Sequence, residues 1–335
     1  MDSFVTLSAM ELTAPPVPSS GADLMPADTG SFWEAFWELA SAALRKALPD
    51  LAEAGRICYL LIGIVLLLSI LQSFRSDGGT AADLVGTVMI GSILLGNTRS
   101  LVSLAAETIV DLTEYGKLLI PVMTTAMAAQ GSISTSAALY TGSTIFNSLL
   151  ATTISRILIP MVYVLLTVCI AGRALKENSL TQIQGFLKWL VTWSLKTLLY
   201  IFTGYMSITG VVSGSADALK IKATKLTISG MVPVVGGILS DASEAVLVSA
   251  GIVRSAAGVY GIFAILSVCL APFLRIGIHY LLLKGTAALC SVLGKGSGSE
   301  LIRDFSGAMG LLAAMTGSVC LLLLISSVCF LREVV

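Results

Sequence analysis

The chain is short of charge. Asp, Glu, Lys and Arg make up only 12% of its 335 residues, about half their share in soluble domains. Acids and bases balance at 20 each, so no basic excess is on offer to nucleic acid, and none is expected as a partner. With one histidine, His279, a multi-histidine metal site is excluded and histidine catalysis is disfavoured. The cysteines (Cys58, Cys169, Cys269, Cys290, Cys320 and Cys329) all fall in apolar stretches without a C-x-x-C pair. That pattern gives neither a disulfide framework nor a zinc site and reads as packing. No nucleophile–base pair stands out, so no enzyme and no cofactor is expected. The secretory pattern of a basic n-region before an apolar h-region is missing too. Residues 1–30 are polar and carry Pro15, Pro16, Pro18 and Pro26; they read as a disordered lead.

What the chain has is apolar surface. Hydrophobic residues reach 56% and mean hydropathy is +0.91. A soluble core could not hide that much, because large exposed apolar patches drive association. The bilayer is the natural solvent. The expected fold is an all-α polytopic membrane protein with about six to eight transmembrane helices, some of them proline-broken.

Ahead of the spans, residues 31–56 read as an amphipathic helix. Ser31 and Glu34 form a capping box, and Trp33, Phe36, Ala40, Leu44 and Ala47 recur at helical spacing. Pro49 is expected to stop the helix. It either lies on the membrane surface or docks on the bundle. Residues 57–335 form the transmembrane domain. Its first span, 57–74, is uncharged and about 27 Å long at 1.5 Å per residue. The next, 82–96, carries Gly86, Gly91 and Gly96 for close packing.

Residues 98–117 differ. Val102, Ala105, Ile109 and Leu112 form an apolar face, while Glu107, Asp111 and Glu114 form an acidic one, with Lys117 spaced to pair with Glu114. Carboxylates are costly in lipid, so this face meets water at the interface, lines a polar path or docks a partner. Further on, 133–154 and 157–170, the latter with Pro160, are apolar. So is 186–212, where Lys188 is placed to snorkel beside Trp189 and Trp193, and the deeper Lys196 needs a partner or water. Residues 256–274 and 276–293 follow; Arg275 and His279 there share a face as a packing feature rather than a proton relay. The last span, 306–331, sets Ser306, Gly310, Ala314 and Ser318 at i+4 steps for close helix contact, within the bundle or in a homo-oligomer. The glycine-rich 294–299 lacks P-loop spacing and reads as a linker.

Two segments break the pattern. Pro121 interrupts the short stretch 118–129. A cationic block, Asp217 with Lys220, Lys222 and Lys225, hands over to Pro233, Gly236 and Gly237. Basic clusters of this kind meet anionic lipid headgroups. Pro121 and Pro233 are separated by the same interval as Pro160 and Pro272, and Ala138/Ala250, Ser143/Ser255 and Ser155/Ser267 match in step. Proline-broken segments at corresponding places mark repeat-built transport folds, so halves near 98–212 and 213–293 are expected. Backbone freed at such breaks must be buried or line a cavity.

The order Asp217, Lys222, Lys225, then Val232 to Gly236, then the span around Pro272, resembles the stage III sporulation protein AE family of endospore-forming bacteria; Leu119 to Gly131 fits as well. The resemblance covers roughly residues 30–335. It implies a role rather than a reaction: a multi-pass subunit in the mother-cell membrane around the forespore. There it would belong to a channel-like or secretion-like complex needed for forespore development after engulfment. The implied partners are other stage III sporulation A-operon proteins, including an ATPase, and stage II sporulation protein Q. The resemblance marks Asp217, Lys222, Lys225, Pro233, Gly236, Gly237 and Pro121 as the motif, and places residues 1–50 outside the mother-cell cytoplasm. A stand-alone secondary transporter is the alternative, motivated by the repeat and the membrane acids.

Overall fold

The computed structural model describes residues 15–26, 32–73, 79–129, 132–231, 236–293 and 296–331, with the backbone alone over 71–73, 79–82, 210–231, 236–257 and 293. After a short turn of helix, α1 (Ser19–Ala22), come α2 (Phe32–Ser73), α3 (Gly79–Ala129) and α4 (Ile133–Thr153). A π-helical turn (Ile154–Leu158) leads directly into α5 (Ile159–Leu175); α6 (Asn178–Met231), α7 (Gly236–Leu293) and α8 (Ser297–Leu331) complete the order. There is no strand among the described residues.

Short connections fold the long helices back on one another. Gly86 of α3 faces Leu68 of α2, and Gly261 of α7 faces Leu119 of α3. α8 is the hub, packing against α3, α4, α5, α6 and α7. Its buried residues include Leu301, Phe305, Met309, Leu312, Met315 and Val319, and the buried face is wide, leaving one exposed line through Ala314, Leu321 and Val328. The chain is thus an all-α membrane protein. Among the described residues five helices are long and apolar enough to cross a bilayer: Phe32–Ile70, Asp83–Ala129, Ile133–Leu175, Gly258–Val292 and Ser297–Leu331. The 51 residues of α3 extend about 76 Å at 1.5 Å each, far more than the roughly 30 Å of hydrocarbon. The bundle therefore reaches well beyond one membrane core.

Several expectations need correction. Pro49 does not stop a helix: it lies inside α2, so the amphipathic segment and the first span are one continuous rod. On the bundle side of this segment the fully buried residues share only Ala47 with the apolar set read from the sequence. Ala35, Leu39, Ala43 and Ala47 turn inward, whereas Trp33 is 71% exposed and Leu44 56% exposed. Ala35, Ala43 and Ala47 leave α2 a shallow face with which it packs on α7. Ser31, the expected cap, lies outside the described residues.

The polar lead is partly structured. Leu24 is buried beside Leu39, Ala43 and Phe263. Gly21 sits so tightly on α7 that a Cβ there would lie 2.7 Å from the Val268 side chain. Residues 1–14 and 27–31 lie outside the described residues.

Pro121 does not break its helix either. It lies within α3, exposed, and the helix runs on for two turns beyond it. Proline removes one backbone donor, here the partner of the Lys117 carbonyl, and surrounding structure tolerates the loss. Pro160 behaves differently. The Ile159 N–H bonds to the Ile154 carbonyl across the widened turn, so the helix absorbs the missing donor as a π bulge. Its expected counterpart, Pro272, lies inside α7 without such a turn. The boundary proposed between repeat halves, near 212, falls within α6.

Candidate functional site

The acidic face of 98–117 is carried by α3, and its inner face forms as the periodicity predicts: Val102, Ala105, Ile109 and Leu112 are all buried at 1% exposure or less. With that side locked into the core, the carboxylates must emerge at its margins. They emerge in two places. Glu107 and Asp111 line a cavity of about 240 Å3 enclosed by α2, α3 and α7, with Ser20 of α1 at its rim. Glu114 lines a separate cavity against α4. The stripe expected as one face is thus divided between two environments.

The first cavity is lined by charge from three helices. α2 contributes Lys46 and Asp50, and α7 contributes Pro272 and Arg275. Arg275 Nε stands 3.2 Å from Asp50 Oδ1 and its Nη2 3.8 Å from Glu53 Oε2. The contact is Coulombic: Nε, though buried, makes no aligned hydrogen bond. Lys46 lies 3.6 Å from Asp23, an exposed pair that contributes little. Ser103 Oγ donates to Glu107 Oε1 at 3.0 Å. Asp111 has neither hydrogen bond nor ion pair among the described residues. The lining carries two cations and three carboxylates, so the cavity is polar and, on balance, anionic. A helix cannot leave such groups against acyl chains cheaply; the arrangement suits a water-accessible vestibule or the seat of a partner's basic segment.

Sequence reasoning found Glu107 and Asp111 but not the Lys46, Asp50 and Arg275 that face them. The expected stop at Pro49 hid that Lys46 and Asp50 share one continuous helix. Arg275 was read with His279, and that pairing is local: His279 is buried and its Nδ1 lies 2.9 Å from the Arg275 carbonyl, which can only accept. Nδ1 therefore carries the proton, and the side chain acts as a packed donor. The expected Glu114–Lys117 pair does not form among the described residues, although both line the second cavity.

The family motif is divided. Asp217, Lys222 and Lys225 fall on the helical backbone of α6, and Gly236 and Gly237 begin α7. Pro233 lies outside the described residues. Pro121 sits ten residues beyond Asp111 on α3 and does not line the charged cavity.

Comparison with known proteins gives one consistent result. A family model described as Stage III sporulation protein AE matches residues 24–331. Stage III sporulation protein AE of Bacillus subtilis (strain 168) is 21% identical over 244 residues, which span 72% of this chain and 61% of that protein. The alignment therefore covers less than two thirds of the relative's length. No solved structure matches.

Proposed function

Because the chain belongs to the stage III sporulation protein AE family, we propose that it is an integral membrane subunit of a sporulation channel or secretion-like complex joining mother cell and forespore. In this reading it sits in the mother-cell membrane around the forespore and supports forespore development after engulfment. It assembles there with the other stage III sporulation A-operon proteins, their ATPase and stage II sporulation protein Q. It is a platform rather than an enzyme and binds no cofactor. The observation that carries the reading is a charged cavity, walled by three long helices, in a member of a sporulation family. Glu107 and Asp111 offer carboxylates to a hydrated path or to a basic segment of a neighbouring subunit, and the cationic block at Lys222 and Lys225 supplies a second contact, to lipid headgroups or to a partner.

Two experiments test it. Purified protein in liposomes carries no substrate on its own if it is one part of a larger conduit; flux through this chain alone would favour the stand-alone transporter. In cells, Lys222→Glu with Lys225→Glu is expected to block development after engulfment while the protein still accumulates in membranes. Normal sporulation in that double variant would remove the block from the account.

A further inference from the structure

On the opposite side of α3 from the charged cavity lies a second one, of about 250 Å3, where α3 meets α4 and the π turn. Its ionic residues are Lys117, Arg156 and Glu114, and Ser148, Thr152 and Ser155 add hydroxyls. Both cations are exposed, and neither has a carboxylate within ion-pairing distance among the described residues. One carboxylate against two cations leaves the lining with a net charge of +1.

The position of Arg156 sharpens the point. It stands on the π turn, midway along the apolar run Ile133–Leu175, and a bare guanidinium facing hydrocarbon there is costly. The widened turn, imposed by Pro160, carries Ser155 and Arg156 together beside Lys117. Val110, 48% exposed, lines the groove, and the residues next in sequence to its lining include the exposed Leu118, Leu149 and Ile157. A planar guanidinium and a flexible ammonium side by side are suited to a tetrahedral oxyanion, and a rim of exposed aliphatic side chains suits the acyl chains such an anion carries in a bilayer.

We propose that the groove formed by Lys117, Arg156, Ser155 and Thr152 binds a phosphodiester, supplied by an anionic phospholipid headgroup. Glu114 lies at one side of the phosphate, where it favours headgroups that also carry a hydroxyl or ammonium donor. The inference is independent of the assembly reading above.

The test is native mass spectrometry of the full chain in detergent, titrated with phosphatidylglycerol, with phosphatidylcholine and, separately, with inorganic phosphate. The expected result is a phosphatidylglycerol adduct that weakens on the order of tenfold when both Lys117 and Arg156 are replaced by alanine, each basic side chain contributing comparably. Arg156→Lys retains part of the binding. Lys196→Ala, which removes an exposed cation from α6, leaves it unchanged. Competition by millimolar inorganic phosphate would assign the site to phosphate from either source; adducts insensitive to phosphate would assign it to the lipid. The proposal is overturned if the double variant, or Arg156→Lys should the double variant fail to fold, binds phosphatidylglycerol as tightly as the parent. A loss of equal size in Lys196→Ala would also overturn it.

Discussion

Asp304 is the side chain on which the interior of the bundle depends most. It stands near the start of α8, only 9% exposed, between two cations: Arg173 Nη2 of α5 at 2.8 Å and Lys188 Nζ of α6 at 3.0 Å. Arg173 also binds Glu300. Three helices are joined by one carboxylate; removing it strands Lys188 and leaves Arg173 with Glu300 alone. Breaking one partner of a buried pair is strongly destabilising. Lys188 is about a third exposed, which tempers the loss. Asp304→Asn should therefore lower stability by about 2–4 kcal/mol, read as a fall in thermal midpoint in detergent. Lys176→Ala, which removes the more exposed 2.7 Å pair with Asp83, should cost less than about 1 kcal/mol. Equal losses would mean that burial is not what gives Asp304 its weight. None of this was legible beforehand. Lys188 was placed in a tryptophan belt, and Trp189 and Trp193 do stack outward, at 5.9 Å between ring centroids. Its own side chain turns the other way because an acid on a helix more than a hundred residues later in the chain is waiting for it. A sequence pattern read one helix at a time contains no such partner.

At the scale of the element, the apolar faces were readable and the helix ends were not. Periodicity located the inner face of α3 because a 3.6-residue repeat is a property of the element itself. Of the glycines expected to pack, Gly86 and Gly91 do approach neighbouring side chains, whereas Gly96 faces open space. Prolines misled, because their cost depends on what surrounds them: Pro49, Pro121 and Pro272 are absorbed in long helices, and of these four described prolines Pro160 alone sits beside an altered turn. Among the described glycines, Gly142 of α4 leaves the least room for a side chain. A Cβ there would fall 2.0 Å from the Tyr205 ring of α6, whose hydroxyl donates to the Ala138 carbonyl at 3.0 Å. Gly142→Ala must displace the ring and loosen that bond, at about 1–3 kcal/mol. Gly204→Ala, with nothing near its Cβ, should be neutral or slightly stabilising, since alanine is the better helix former. If thermal unfolding cannot tell the two variants apart, α4 and α6 do not meet as described.

For the whole molecule, composition alone gave the class, because a chain this apolar and this poor in charge has the bilayer as its solvent. The hub position of α8 and the convergence of α2, α3 and α7 on one charged cavity arise from contacts between distant segments and could not be read from spacing. The central claim is that Glu107 and Asp111 face a polar cavity rather than lipid. It is tested most directly by single cysteines in a cysteine-free background, probed in permeabilised membranes with a charged maleimide that does not enter hydrocarbon. Glu107→Cys and Asp111→Cys should be labelled readily, while Leu67→Cys, at an exposed apolar position of α2, should resist. Protection at 107 and 111 equal to that at 67 would contradict the account.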